Sequence, residues 1–131
     1  MTKRSLRDAL RAGEFVAAPG LHDMIAAVIA SKVGFDFVYA SGFWLTASGY
    51  GLPDAGIATY TQMLDRVSTL ARAVEASVIA DADTGYGGLL NVHHTVRGYE
   101  DAGVVAIQIE DQEFPKKCGH TPFRRVIPME D

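Results

Sequence analysis

Only one cysteine, Cys118, occurs in the 131 residues, so the chain cannot close a disulfide on itself, a pattern that fits a reducing compartment. Its apolar runs are helix- or strand-sized, shorter than the roughly 20 residues that span a bilayer, and no membrane partner is expected. Met1-Thr2-Lys3-Arg4-Ser5 leads into polar residues instead of the hydrophobic core of a secretion signal, so a cytoplasmic location is the expectation. A long basic run is also missing and the formal charge is −4, which argues against nucleic acid as the principal partner. Without low-complexity linkers or composition shifts, residues 1–131 read as a single domain. What the chain does have is apolar material, 48% hydrophobic against 21% charged residues, enough for a packed core.

Four short β-rich runs recur: Phe15–Ala18, Phe37–Tyr39, Val78–Ala80 and Val104–Ile109. Helical spacing separates them. Leu21 to Val33 carries Leu21, Ile25, Val28 and Ile29 as a stripe and stops at Gly34. Thr59 to Ala76 repeats Met63, Val67, Leu70, Ala71 and Val74, and a third helix is expected from about Val92 to Ala102, closing at Gly103. A short helix from Ser5 to Arg11 would plug or flank one end of the sheet. Ser41 to Gly56 reads as a long Gly- and Ser-bearing loop, of a length usually tied to function. After Gly119 no terminal helix is expected. Strands alternating with helices give an α/β fold class with βαβ units and a parallel sheet. Four βα units are half of a (β/α)8 barrel, whose usual size is about 250 residues. The expectation is therefore the N-terminal half of such a barrel with two open sheet edges, the alternative being a self-standing open α/β domain.

In a parallel βα sheet, ligands gather at the carboxyl ends of the strands. Asp81-Ala82-Asp83-Thr84-Gly85-Tyr86-Gly87-Gly88 stands there, directly after Val78-Ile79-Ala80. Residues i and i+2 of a strand point the same way, so Asp81 and Asp83 can aim both carboxylates at one cation. An oxygen-only pair suits Mg2+ or Mn2+ better than zinc. Glu110, after the fourth strand, would point inward if Gln108 does and would complete an acidic cluster around a hydrated cation. Solvated loop acids would explain any one of these alone; their recurrence at strand ends argues for a site. Lys116-Lys117-Cys118-Gly119-His120 follows the fourth strand by a short loop. Neighbouring cations favour a thiolate, so Cys118 is suited to donate or accept a proton. A lone cysteine is more often an inert hydrophobe, but these basic, glycine-bearing surroundings do not resemble a core. His93 and His94 diverge by about 100° on a helix and read as solvated surface.

Tyr39-Ala40-Ser41-Gly42, Gly51-Leu52-Pro53-Asp54, the Asp81–Gly88 stretch, Ile109-Glu110-Asp111-Gln112 and Phe114-Pro115-Lys116-Lys117-Cys118-Gly119-His120 together resemble the isocitrate lyase and phosphoenolpyruvate mutase superfamily. The pieces lie in family order from about residue 15 to 120, and the Lys-Lys-Cys-Gly-His string is the most specific of them. The resemblance implies a TIM-type (β/α)8 barrel that binds Mg2+, works as a homo-oligomer (a dimer of dimers that exchange their last helix) and stabilises the enolate of a 2-oxo acid. It implies that Asp83 holds the cation most directly, with Asp81 and Glu110 acting through water or behind it. Ser41, Gly42 and Phe43, with backbone N–H groups, would grip the carboxylate and oxo group of a small carboxylic acid substrate. Asp54 would support the site and Tyr39 would assist deprotonation of the 2-hydroxyl. Gly119 and His120 would border the substrate from a mobile loop region, 111–131.

Lyases of the superfamily carry Cys-Gly-His on that loop, where the thiol protonates the carbanion released by carbon–carbon cleavage. Phosphonomutases and oxaloacetate decarboxylases typically place other residues there. Cys118 therefore implies a Mg2+-dependent carbon–carbon lyase that splits a 2-hydroxy di- or tricarboxylate into a 2-oxo acid and a second carboxylate. Thr121-Pro122-Phe123-Arg124-Arg125 stands where many isocitrate lyases of the family have glycines and a lysine, which favours a 2-methylisocitrate- or dimethylmalate-like acid over isocitrate. The alternatives are oxaloacetate decarboxylation or phosphonate chemistry (a phosphonomutase or phosphonopyruvate hydrolase) on the same fold, and an inactive fragment acting as an interaction module through its sheet edges.

Overall fold

A computed structural model of the chain describes residues 3–129. Four strands, β1 (Gly20–Leu21), β2 (Phe37–Ala40), β3 (Ser77–Asp81) and β4 (Ala106–Gln108), form one sheet in that order, every pair parallel. Helix α1 (Leu6–Arg11) precedes the sheet, and α2 (Met24–Val33), α3 (Gly42–Tyr50), α4 (Tyr60–Ala73) and α5 (Leu89–Asp101) connect its strands. This is the expected α/β architecture with four βα units. No helix among the described residues is long and apolar enough to cross a membrane.

The residue before the cap of α1 ties down the lower end of the sheet: the Ser77 hydroxyl donates to the Arg4 carbonyl at 2.6 Å, and Arg4 reaches Asp36 at 2.5 Å just before β2. Register then decides which face each side chain takes. Val38 and Ala40 align with Val78 and Ala80, and all four are fully buried beneath the helices. Tyr39, Ile79 and Ala106 form the alternate row and are only half-buried, because no helix covers that face. One face packed and the other partly open is the arrangement of a barrel wall. The core is built mainly by α4, which lays Met63, Val67, Leu70 and Ala71 against the sheet after a capping box between Thr59 and Gln62.

Three expectations are corrected. The first strand is Gly20–Leu21, not Phe15–Ala18. Gly20 pairs with Tyr39, so Ala18 falls opposite Phe37 and Phe15–Ala17 overhang the start of β2; Phe15 is accordingly 94% exposed. Helix α2 buries Ala27 and Ala30 and leaves Ile25, Val28 and Ile29 exposed, because a close approach to its neighbours accepts small side chains rather than branched ones. The expected loop Ser41–Gly56 contains a helix, α3. Its glycine and serine content weakens helix propensity, but burial of Leu45 and Thr46 overrides that preference, and the helix ends at Gly51 in the left-handed region (φ 65°).

Leu70 is fully buried on α4. Leu70→Ala is expected to destabilise the chain by about 2–5 kcal/mol, read as a lower urea midpoint with an unchanged slope.

Candidate active site

Beyond the packed rows, the same register carries the acids. Asp81 pairs with Gln108 at the tips of β3 and β4, and the ladder runs on: the Ala82 N–H donates to the Gln108 carbonyl at 2.9 Å and the Glu110 N–H to the Asp83 carbonyl at 2.8 Å. Asp81, Asp83, Gln108 and Glu110 thus stand at one end of two neighbouring strands. The Tyr39 hydroxyl donates to Gln108 Oε1 at 2.9 Å, so the β2 tip joins the same mouth.

Asp81 is 9% exposed and is held by backbone amides rather than by a cation. Its Oδ2 accepts from the Gly42 N–H at 3.1 Å and its Oδ1 from the Asp83 N–H at 2.9 Å. The first bond places Asp81 at the N-terminus of α3, where the helix dipole favours negative charge. The approach leaves no room for a side chain: a Cβ on Gly42 would lie 2.8 Å from Asp81 Oδ2. The second bond forms a tight turn in which Asp83 (φ 49°) and Tyr86 (φ 61°) take left-handed conformations. Thr95 on α5 braces the turn by donating to the Gly85 carbonyl at 3.0 Å, and the Tyr86 and Tyr99 hydroxyls meet at 3.1 Å.

Lys116, which sequence reasoning left unassigned, is the cation at this site. It is 4% exposed; its Nζ lies 2.6 Å from Asp54 Oδ1 and is also bonded to Asp83 Oδ1. Burial alone would lower its pKa, but the bonds from Asp54 and Asp83 outweigh burial and hold it above the usual lysine value. Burial dominates at Asp83, pushing its carboxyl up against the Lys116 bond, with the charges of Asp81 and Asp54 adding to the rise. Asp54 and Asp83 therefore share one ammonium. Tyr39 is held above its usual value, first by burial and then by the charge of Asp81, so its hydroxyl stays protonated and acts as a donor.

Glu110 is half-buried and accepts from the Gln112 side chain, while Asp54 is half-buried against Lys116. Ser41 caps α3 without a side-chain bond, Phe43 is 40% exposed, and Gly119 and His120 are exposed. Cys118 is half-buried, two residues from Lys116. His93 and His94 lie exposed on α5, in keeping with the solvated reading. The expected loop region 111–131 is described as far as Met129; its last two residues lie outside the described ones.

Among the described residues, no three His, Cys, Asp or Glu side chains come close enough together to hold a metal ion by direct contacts alone. The donor set nevertheless suits a hydrated hard cation. It is all oxygen, it carries more negative charge than Lys116 balances, and the ammonium at Asp54 and Asp83 shows that positive charge is accepted there.

The phosphoenolpyruvate phosphomutase family matches residues 6–130. The 2,3-dimethylmalate lyase of Eubacterium barkeri is 45% identical over 99% of this chain and 45% of its own length. The 2-methylisocitrate lyase of Halalkalibacterium halodurans is 45% identical over 95% of the chain and 41% of its own. A solved phosphonopyruvate hydrolase complexed with oxalate and Mg2+ superposes with a TM-score of 0.85 at 39% identity, over 99% of this chain and 44% of that one. The chain thus spans less than half the length of the relatives it matches.

Gly42→Ala tests the Asp81 contact. At an open helical position this change would stabilise by up to about 1 kcal/mol. Here the new Cβ displaces the Asp81 carboxylate and breaks its amide bond, so a net loss of roughly 1–3 kcal/mol in urea unfolding is expected.

Proposed function

The chain belongs to the phosphoenolpyruvate mutase and isocitrate lyase superfamily, and from that premise we propose that the protein carrying it is a Mg2+-dependent carbon–carbon lyase. Its substrate is a 2-hydroxy di- or tricarboxylate of dimethylmalate or 2-methylisocitrate type. The observation that carries the proposal is the acids Asp81, Asp83 and Glu110 at adjacent strand tips, next to a loop that bears Cys118 and is docked there by Lys116. The likeness to a hydrolase complexed with Mg2+ and oxalate, a two-carbon dicarboxylate, supports the cation and the ligand class.

Asp81, Asp83 and Glu110 would hold the cation, directly or through water, with Asp54 beside them. When bound, it supplies charge for the substrate carboxylate and polarises the oxygen that becomes the 2-oxo group. The first turn of α3, with Ser41, Gly42 and Phe43, adds a helix N-terminus that favours the same anion. Tyr39, protonated beside Asp81, orients the 2-hydroxyl and relays its proton into the carboxylate cluster. As that proton leaves, the bond between the hydroxyl-bearing carbon and its neighbour breaks, and the electron pair stays on the departing acid. Cys118 gives its proton to that carbon, releasing the second carboxylate. Assembly of several copies and a cytoplasmic location belong to the same proposal.

Phosphonate chemistry on the same scaffold is the competing reading, favoured by the hydrolase likeness. Product analysis separates the two, because the lyase releases two acids, whereas phosphorus–carbon cleavage by water releases phosphate and a mutase moves the phosphorus from carbon to oxygen within one molecule.

In the protein as its gene encodes it, Cys118→Ser is expected to lower turnover of 2-methylisocitrate, dimethylmalate or isocitrate by roughly 100-fold or more. Full retained activity removes the thiol from the mechanism. Added Mg2+ should raise the melting temperature of the wild-type chain, and Asp83→Asn should abolish most of that rise.

A further inference from the structure

The turn after β3 follows a path that two of its own residues disfavour. Asp83 and Tyr86, at φ 49° and 61°, are left-handed, a conformation in which a side chain crowds its own backbone. Hydrogen bonds within the turn hold its first half: the Asp83 N–H donates to Asp81 Oδ1 at 2.9 Å and the Gly85 N–H to the Ala82 carbonyl at 2.8 Å. They do not reach Tyr86.

Helix α5 supplies the rest of the restraint. Val92, Thr95 and Tyr99 recur at helical spacing along one face, and each meets the turn. Val92 stands so close that a Cβ on Gly85 would lie 2.5 Å from its Cγ2, Thr95 donates to the Gly85 carbonyl at 3.0 Å, and the Tyr99 hydroxyl lies 3.1 Å from that of Tyr86. Tyr99 is fully buried, and burial holds both phenols above their usual pKa, so each remains a neutral hydroxyl able to pair. The Tyr86 ring is backed from another side by Tyr60 of α4, with ring centroids 6.0 Å apart. Tyr60 can come there because Gly98 of α5 has no side chain: its hydroxyl occupies the space a Cβ would need. Held at both ring and oxygen, Tyr86 cannot relax its backbone without giving up these contacts, and Asp83 lies three residues before it in the same turn.

We infer that Tyr99 is a positioning residue for the acidic cluster: its hydroxyl, paired with that of Tyr86, pins the far end of the turn and so sets where the Asp83 carboxylate stands. The pinning rests on geometry; only its consequence for a cation rests on the proposed Mg2+ dependence.

Tyr99→Phe removes the oxygen and keeps the packed ring. In the protein as its gene encodes it, hydrogen exchange read by mass spectrometry should quicken by about tenfold in peptides spanning 82–88 and by less than about twofold in those of β2. Mg2+ titrated into the same variant in a calorimeter should bind about tenfold more weakly than to the wild type, the usual effect of losing a group that orients a metal ligand from behind. Tyr86→Phe should reproduce both changes, and the double variant should be no worse than either single one, because the two hydroxyls act as a pair. Leu70→Ala weakens the core elsewhere and should leave Mg2+ affinity unchanged, which separates positioning from a general loss of stability. Exchange in 82–88 that rises no more than in β2 overturns the inference. So does an unchanged Mg2+ affinity of Tyr99→Phe when the wild type binds the ion. If Tyr99→Phe does not fold, Tyr86→Phe decides by the same criteria. A wild type that binds no Mg2+ removes the proposed reaction alone, and the exchange measurement then decides the role of Tyr99.

Discussion

Negative charge crowded at the ends of adjacent strands is the constraint on which this structure turns. Asp81 and Asp83 are nearly buried, with Asp54 and Glu110 beside them, and carboxylates out of water need compensation. The chain supplies it in two ways. Asp81 takes two backbone N–H groups, one from the first residue of α3 and one from the turn that Asp83 begins. Asp54 and Asp83 take the ammonium of Lys116.

Much of the local architecture follows from those two solutions. Helix α3 starts immediately after β2 because its first N–H is bonded to Asp81, and its first residue is glycine because a side chain would collide with that carboxylate. The turn after β3 bends through left-handed conformations at Asp83 and Tyr86 to bring the second amide round, and Thr95 and Tyr99 of α5 support it from below. The segment after β4 folds back so that Lys116 reaches Asp54 and Asp83. Scaffold and site are coupled through these bonds, which is why a single added methyl at Gly42 or the loss of one ammonium has consequences beyond its own position.

Burial is arranged so that chemistry is confined to one end. Helices cover the row of Val38, Ala40, Val78 and Ala80 completely, while Tyr39, Ile79 and Gln108 look onto a face the described chain leaves partly open. Relatives more than twice as long share this fold over the matched part, and the open face is where a barrel interior would be.

Local pattern determined a good deal. The alternation of apolar runs and helical stripes identified β2, β3, β4 and α4, because periodicity records which face of an element is covered. The apolar run put Asp81 at a strand tip, whereas Asp83 lies beyond it in a turn at φ 49°, so strand alternation does not align the two carboxylates as expected; the ordered motifs identified the superfamily. Tertiary structure decided what depends on distance between segments far apart in sequence. The start of β1 was set by its register with Tyr39. The buried face of α2 was set by how closely a helix can approach its neighbours, which favoured Ala27 and Ala30 over Ile25, Val28 and Ile29. Lys116 became the partner of Asp54 and Asp83 because the fold, not the spacing of 33 and 62 residues between them, brings those three charges into contact out of water.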